Sequence, residues 1–314
     1  MPFRPSFACL WCGTSYTTRS ANDLEGWAQL CPDCVGKAGD NGFLRYRLRQ
    51  ALTERSAGEA APPSSAGRTT TATVAAPMAD MSPAAATSAH IDRSMIDYYE
   101  ARAPEYDDWY LRRGRYKRGA IHDAAWNAEL DAAGRWLDAL RWSGDIVEIA
   151  AGTGWWSPLL AARGELSLYD TSAAALDRAR ARLVAHGLRA HLHVRDAWSE
   201  PDREVDGLFF GFWLSHVPRE RLADFLAIAH RWLKPGGLLA FIDSLADPAS
   251  GAVDHPTPAD DLSLRRLDDG REFTVVKVYY EPPELMAALR SAGFDDVDVS
   301  TTGRFFLLGT ATAR

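Results

Sequence analysis

The chain has 314 residues, 46% of them apolar, and a formal net charge of -7. This length accommodates one domain of about 200 to 250 residues plus something small. The acidic balance gives no general support for nucleic-acid binding, and no apolar run approaches the roughly 18 residues that a membrane span needs. The first residues also lack the charged and apolar regions of an export signal. We therefore expect a cytoplasmic protein without a membrane partner.

Four cysteines lie near the N-terminus in two C-x2-C pairs: Cys9, Cys12, Cys31 and Cys34. This spacing is typical of a zinc knuckle, in which each pair gives two thiolates to one tetrahedral metal ion. Two disulfides are the alternative, which a reducing compartment disfavours. So short a segment cannot bury enough core to fold unaided, so zinc binding would supply its folding free energy. We predict a structural zinc-binding module over residues 1–50.

A low-complexity segment follows, rich in Ala, Ser, Thr and Pro. Little in it can offset the entropy of ordering the backbone, which predicts a disordered linker over residues 51–90. The second domain is expected to span residues 91–314. It opens with two helical pieces broken before Pro104 and a longer helix from about 123 to 140. These N-terminal helices, residues 91–143, are rich in Tyr, Trp and Arg and are predicted to form a lid.

Short apolar runs then alternate with amphipathic stretches. Strands are predicted at 146–150, 166–170, 190–194, 207–211 and 238–243, with helices at about 157–163, 173–186 and 219–232. Such alternation predicts an α/β fold with a parallel sheet covered on both faces. The chain ends in a predicted strand within 272–280, a helix within 282–293 and a hairpin that turns near Thr302 and Gly303, which predicts a closing antiparallel strand.

The segment EIAAGTGWW, residues 148–156, runs from a strand into a glycine turn. Glycine lets backbone N–H groups approach a ligand closely, although this turn alone matches the dinucleotide fingerprint weakly. Carboxylates end three successive strands at Glu148, Asp170 and Asp196. A buried acid such as Glu148 is costly unless it meets a hydrogen-bond donor or a cation. Asp170 is placed to accept the hydroxyls of a ribose, and Asp196 is placed to meet an adenine. A cationic adenosine derivative accounts for all three, although helix capping remains open for each aspartate.

The second domain contains, in chain order, VEIAAGTG, Asp170, RDAW, GLFFGFWLSHV, LKPGGLLAFID and a C-terminal hairpin. In this order of features it resembles the class I S-adenosylmethionine-dependent methyltransferases. The resemblance implies a doubly wound, mostly parallel, seven-stranded Rossmann-like sheet with a C-terminal antiparallel hairpin. It places Gly152 and Gly154 beside the methionine part of the cofactor, Glu148 near its ammonium group and Asp170 on the ribose. The remaining cofactor residues that we assign are Ala150, Trp155, Asp196, Ala197, Trp198, Gly211, Tyr98, Arg102 and Tyr106. Ala150 departs from the family, which often has glycine there.

His216 is the histidine of the segment that follows the fourth strand, where these enzymes usually present groups to the transferring methyl. Its ordinary pKa suits a general base, and a capping or packing role is the alternative. A small-molecule acceptor is favoured. The alternatives are an RNA or protein substrate recruited by the zinc module, a non-catalytic cofactor-binding protein and an NAD-dependent oxidoreductase. Arginines in RRGRYKRG, residues 112–119, and Arg265 with Arg266 hint at an acidic or phosphorylated substrate, unless they are solvated charges.

Overall fold

The computed structural model describes residues 6–9, 12, 14–19, 24, 28–37, 44, 48, 51–52, 83–255 and 261–314, with only the backbone described for 83–90. The chain divides into two compact units, Met1–Ala76 and Pro77–Arg314. Most of the predicted linker, residues 53–82, lies outside the described residues. Within the described part, no helix is both long enough and apolar enough to cross a membrane.

The first unit contains an antiparallel hairpin and a short helix. Strands β1 (Ser6–Ala8) and β2 (Ser15–Thr17) pair with each other, and helix α1 (Pro32–Gly36) follows Cys31 directly. Its small core contains Ala28, Leu30 and Leu44 beside three of the four cysteines. The cysteines therefore take much of the space that a larger domain would fill with aliphatic side chains.

The second unit alternates helices and strands as expected. Its helices are α2 (Pro83–Arg102), α3 (Asp107–Tyr110), α4 (Ala120–Ala139), α5 (Ser157–Ala161), α6 (Ala173–Ala185), α7 (Leu222–Arg231) and α8 (Pro282–Ser291). Its strands are β3 (Asp145–Ile149), β4 (Glu165–Asp170), β5 (His191–Val194), β6 (Val205–Gly211), β7 (Leu233–Ser244), β8 (Leu262–Arg266), β9 (Glu272–Val276), β10 (Phe294–Thr301) and β11 (Phe306–Ala313). Short 3-10 turns cover Gly114–Tyr116, Leu214–His216 and Arg219–Arg221.

Seven strands form one sheet in the order β5-β4-β3-β6-β7-β11-β10. The pairs among β5, β4, β3, β6 and β7 are parallel, whereas β11 runs antiparallel to both of its neighbours. This confirms the predicted fold class. The chain order reverses beside β3, because β4 lies on one side of it and β6 on the other. Ligands of doubly wound sheets bind at such a switch point, outside the carboxyl ends of the strands.

Alternate residues of each central strand pack into two separate cores. Val147 on β3 and Phe210 on β6 face the layer that includes α7 and α8. Ile146 and Phe209, one position earlier on the same strands, face the layer that includes α4 and α6. Successive side chains of a strand point to opposite faces, so nearly continuous apolar runs are needed for a sheet buried on both sides.

Three boundaries differ most from the sequence-based expectation. Helix α2 begins at Pro83, within the range predicted for the linker, since its alanine-rich first turns favour a helix as well as a linker. Strand β7 begins at Leu233 rather than 238, and its pairing with β6 shifts register around Lys-Pro-Gly-Gly. The predicted strand at 272–280 ends at Val276 and pairs with β8 in a separate two-stranded sheet.

Candidate active site

The glycine turn after β3 is held in a left-handed conformation. Ala150, Gly152 and Gly154 have φ angles of 50°, 54° and 70°. A Cβ at Gly154 would lie 2.7 Å from Ala179 Cβ, so this position also requires glycine for packing against α6. A Cβ at Gly152 would meet no atom within 4 Å, so that side of the turn is open. The positive φ of Ala150 explains why glycine suits its position, since a Cβ is strained there.

Side chains from two helices hold the turn in place. Thr153 Oγ1 donates to Asp107 Oδ1 at 2.6 Å, and Arg182 donates from Nε to the Thr153 carbonyl at 3.1 Å. Arg182 also pairs with Asp107 at 2.5 Å. Trp155 stacks on Tyr110 with 4.2 Å between ring centroids. The turn is therefore fixed by side chains of α3 and α6, and Trp155 is part of this packing.

A crevice of about 90 Å³ lies at the carboxyl ends of β3, β4 and β6, and we call it the strand-end crevice. The predicted cofactor residues that line it are Ala150, Gly152, Asp170, Asp196, Ala197, Trp198, Gly211 and Tyr106, and His216 lines it as well. Arg221 lies 3.8 Å from the centroid of the Trp198 ring, and its ion pair with Asp92 at 3.1 Å links α2 to this wall. The structure therefore brings these nine predicted residues together around one crevice.

Asp170 is the acid with the clearest binding geometry. Its Oδ2 accepts from Gly152 N and its Oδ1 from Ser172 N, both at 2.8 Å. These bonds fix the plane of the carboxylate and leave lone pairs on both oxygens directed elsewhere. Burial raises the pKa of Asp170 to about 6. Asp196 is fixed by a similar bond, since its Oδ1 accepts from Trp198 N at 2.9 Å.

Glu148 lies beneath the turn and does not line the crevice. Its side chain is 1% exposed, and its Oε2 accepts from Ser157 Oγ at 2.6 Å. Burial raises the pKa of Glu148 to about 8. Gly154 and Trp155 also lie outside the crevice lining, as do Tyr98 and Arg102, which line a second cavity.

The second cavity, of about 320 Å³, adjoins the crevice and we call it the basic cavity. Four cationic side chains line it: Arg102, Arg118, Arg265 and Lys277. Arg118 and Arg265 belong to the two basic segments that the sequence singled out. The sequence did not predict Lys277 as a site residue, because a single lysine after a strand is usually exposed and its burial depends on tertiary packing.

The crevice and the basic cavity share a wall formed by Tyr99, Tyr106, Phe212 and His216. Phe212 has a φ of 58°, a strained conformation for a bulky residue, and directly follows β6. His216 lies in the 3-10 turn Leu214–His216 and is 6% exposed. A group in one cavity and a group in the other would therefore meet at these four side chains.

His216 is held by two short hydrogen bonds. Its Nδ1 lies 2.6 Å from the Val276 carbonyl oxygen, and its Nε2 lies 2.6 Å from the Tyr99 hydroxyl. A carbonyl only accepts, so Nδ1 carries the proton and the neutral ring accepts the Tyr99 hydroxyl proton at Nε2. Burial, together with the charge of Lys277, holds the pKa of His216 well below its ordinary value of 6.5. The His216 ring is therefore neutral near pH 7 and accepts a hydrogen bond at Nε2.

The Tyr99–His216 pair could not be read from the sequence. The tyrosines of α2 indicated a lid, but Tyr99 and His216 are 117 positions apart. Burial raises the pKa of Tyr99 well above 10, so its hydroxyl stays protonated.

The four cysteines of the first unit converge. Their sulfur atoms all lie within 4.8 Å of one another, and Cys12 Sγ is 3.6 Å from Cys31 Sγ. Four thiolates around one zinc at about 2.3 Å would be separated by roughly 3.8 Å. The four sulfur atoms are therefore close enough to hold one metal ion.

Comparisons with known proteins agree with the fold. A family model described as a methyltransferase domain matches residues 146–237. The ubiquinone/menaquinone biosynthesis C-methyltransferase UbiE of Coxiella burnetii (strain CbuK_Q154) is 32% identical over 176 residues, which cover 51% of this chain and 70% of the relative. UbiE of the strain Dugway 5J108-111 is 28% identical over the same coverage.

Among solved structures, the DhpI–SAH complex superimposes with a TM-score of 0.55 at 30% identity, covering 71% of this chain and 97% of DhpI. The DhpI–SAM–HEP complex gives a TM-score of 0.56 at the same identity and coverage. The sheet order, the glycine turn after β3 and these relatives all indicate the same methyltransferase fold. The chain belongs to the class I S-adenosylmethionine-dependent methyltransferases.

Proposed function

We propose that the protein transfers the methyl group of S-adenosylmethionine to a small-molecule acceptor at the boundary between the crevice and the basic cavity. The observation that supports this proposal most directly is that both cavities are lined by Tyr99, Tyr106, Phe212 and His216. Methyl transfer is an in-line displacement, so donor and acceptor must meet from opposite sides. The basic cavity is within the size range of small-molecule sites, about 300 to 1,000 Å³.

Three observations support cofactor binding in the strand-end crevice. The free side of Gly152 leaves room for a ligand against the backbone, and Asp170 keeps acceptor capacity for a pair of hydroxyls. The buried indole N–H of Trp213, which lines the crevice, has no partner among the described residues. We assign Asp170 to the ribose, and Asp196, Ala197 and Trp198 to the adenine. Glu148, from beneath the turn, is assigned to the ammonium group.

S-adenosylmethionine supplies the activated methyl group, so this chain has to align the acceptor and accept a proton. Because the Tyr99 hydroxyl occupies His216 Nε2, we propose a relay. The acceptor group gives its proton to Tyr99 Oη while the Tyr99 proton passes to His216 Nε2. The Val276 carbonyl fixes the ring and stabilises the imidazolium that results.

Label transfer tests the proposed function. The full chain is incubated with methyl-labelled S-adenosylmethionine and with small-molecule, RNA and protein fractions of a cell extract. We expect label in the small-molecule fraction. Label in RNA or protein would replace the acceptor assignment, and binding of S-adenosylhomocysteine without any transfer would favour a non-catalytic role.

Replacing Asp170 by Asn is expected to weaken S-adenosylhomocysteine binding by about tenfold to a hundredfold. The amide keeps the size of the side chain but turns one acceptor oxygen into a donor, which opposes Gly152 N or Ser172 N and loses a ribose partner. Isothermal titration calorimetry measures the change. Asp177→Asn, on the exposed side of α6, is the matched control and should bind like the unaltered protein. Equal affinity of the two variants would contradict the ribose assignment.

We also propose that Cys9, Cys12, Cys31 and Cys34 bind one structural zinc ion and that residues 1–50 form a zinc module, linked through 51–90 to the methyltransferase domain. The clustered sulfur atoms support this. Elemental analysis of the purified chain should find about one zinc per chain, and Cys31→Ser should lose it. The second unit should melt at an unchanged temperature, since it has its own core. Finding no metal and two disulfides would contradict the proposal.

A further inference from the structure

The four cations of the basic cavity come from four separate parts of the second unit. Arg102 ends α2, Arg118 precedes α4, Arg265 lies on β8 and Lys277 follows β9. Arg102 and Lys277 are 8% and 7% exposed, whereas the other two are half-buried. Buried cations are costly unless a negative charge compensates them. Their partners therefore determine whether the cavity is built for a ligand.

Among the described residues, the guanidinium groups of the three arginines have no carboxylate oxygen within 4 Å. Arg102 donates to the Tyr116 hydroxyl at 3.2 Å and lies 4.4 Å from the centroid of the Tyr106 ring. Arg118 donates to backbone carbonyls, including that of Gly251 at 3.2 Å. Arg265 Nη1 lies 3.1 Å from His255 Nδ1. These neutral partners position the guanidinium groups and leave their charge uncompensated.

Lys277 has only a distant counter-charge. Its Nζ donates to Ser215 Oγ at 2.8 Å and Ser244 Oγ at 3.2 Å, while Asp243 Oδ1 lies 4.0 Å away. The two oxygens of Asp243 are already engaged by the backbone N–H groups of Ser215 and Ser244. Burial lowers the pKa of Lys277 to about 8, with Arg265 and Arg102 acting in the same direction.

Two polar groups of the cavity lack a partner among the described residues. They are the buried Nε of Arg102 and the buried hydroxyl of Tyr98, both on α2. Buried donors without partners are rare in folded proteins, and both belong to side chains that line the cavity. The acid in the described lining, Asp247, is bound by Arg304 through bonds of 2.6 and 3.1 Å, so it does not neutralise the cavity.

We propose that the basic cavity binds the anionic group of the acceptor, so that the methylated molecule is a small acid carrying a phosphate-type or carboxylate oxyanion. This assignment rests on the proposed function, in which the acceptor occupies the basic cavity. Arg102 and Arg265 provide charged N–H donors, Lys277 a point charge and Tyr98 a hydroxyl. Arginine and lysine donors of this kind recognise compact oxyanions.

The same contacts argue against RNA at this site. Of the basic run 112–119, Arg112 pairs with Asp123 at 3.2 Å and Arg115 with Asp254 at 2.7 Å. Arg118 is the arginine of this run that lines the cavity. Nucleic-acid backbones are bound by extended basic surfaces. Here four cations line one small cavity instead.

Anion titrations of the full chain test this proposal. Inorganic phosphate and acetate are titrated by calorimetry at constant ionic strength, with and without saturating S-adenosylhomocysteine. At least one anion is expected to bind, and Arg265→Gln should weaken that binding by about tenfold. Tighter phosphate binding would identify a phosphate-type acceptor, and tighter acetate binding a carboxylic acid.

Arg266→Gln is the matched control. Arg266 neighbours Arg265 on β8 but is exposed and pairs with Glu272. This variant should bind the anion like the unaltered chain. Lys277→Met is a second loss variant, whose folding is checked by its melting temperature. Equal binding by the Arg265 and Arg266 variants, or no heat with either anion, overturns the proposal.

The cofactor titration separates the two hypotheses. Binding of S-adenosylhomocysteine without anion binding would remove the anion subsite and leave the proposed methyl transfer intact. Anion binding without any heat from S-adenosylhomocysteine would retain the subsite and remove the cofactor assignment.

Discussion

Replacing His216 by Asn is expected to lower the methyl-transfer rate by about 10²- to 10⁴-fold, the usual contribution of a positioned general base. The asparagine amide can still donate to the Val276 carbonyl in place of Nδ1, but it offers no basic atom to the Tyr99 hydroxyl. The rate is measured by single-turnover transfer of labelled methyl to the acceptor fraction identified above. Calorimetry with S-adenosylhomocysteine checks that the crevice remains intact.

Tyr99→Phe distinguishes a relay from direct proton acceptance by His216. A relay requires the hydroxyl, so this variant should lose about as much activity as His216→Asn, and the double variant should lose little more. Full activity of Tyr99→Phe would eliminate the relay. Unchanged activity of His216→Asn would eliminate the base altogether.

The pH profile gives an independent readout. The pKa of His216 is held well below 6.5, so the neutral base is fully formed near pH 7. At saturating S-adenosylmethionine and acceptor, the contribution of His216 to the rate should therefore be constant around neutral pH and fall only as acid protonates His216. His216→Asn should lose this acid limb. An acid limb of the same midpoint in the variant would assign the titration to another group.

Replacing Glu148 by Gln is expected to raise the free energy of unfolding at pH 8 by on the order of 3 kcal/mol and to change it little at pH 5. The folded-state pKa of about 8 lies above the ordinary value of 4.5. Between these values the folded protein keeps a proton that the unfolded chain releases, so stability falls as pH rises toward 8. The Gln amide is neutral at every pH and can still accept from Ser157 Oγ.

Denaturant unfolding of the second unit at pH 5 and pH 8 measures this effect. Glu165→Gln, at the exposed start of β4, is the control and should behave like the unaltered protein at both pH values. Two results together would show that Glu148 is not held neutral in the fold. The unaltered protein would become more stable between pH 5 and 8, and Glu148→Gln would give no gain in stability at pH 8.

The same variant tests the ammonium assignment. A carboxylate that meets the cofactor ammonium group should lose about tenfold in S-adenosylhomocysteine affinity when it becomes an amide. Unchanged affinity together with the pH-dependent stability gain would restrict Glu148 to a structural role beneath the glycine turn.

The sequence by itself determined the layout of the second domain. Short apolar runs and amphipathic stretches are local patterns of side-chain periodicity. Because they depend only on neighbouring residues, they predicted the parallel sheet, its helices and the closing hairpin. Acids at strand ends and a glycine turn predicted the crevice, because parallel strands end at one edge of the sheet. The two C-x2-C pairs predicted that four cysteines come together, and their sulfur atoms lie within 4.8 Å of one another.

Only the tertiary structure decided which distant groups meet and how strongly each is buried. It joined Tyr99 to His216, gathered Arg102, Arg265 and Lys277 around one cavity, and placed Glu148 beneath the crevice instead of in its wall. Proton affinity and the cost of an unpaired charge depend on the surrounding packing and dielectric, which arise when segments far apart in sequence fold together.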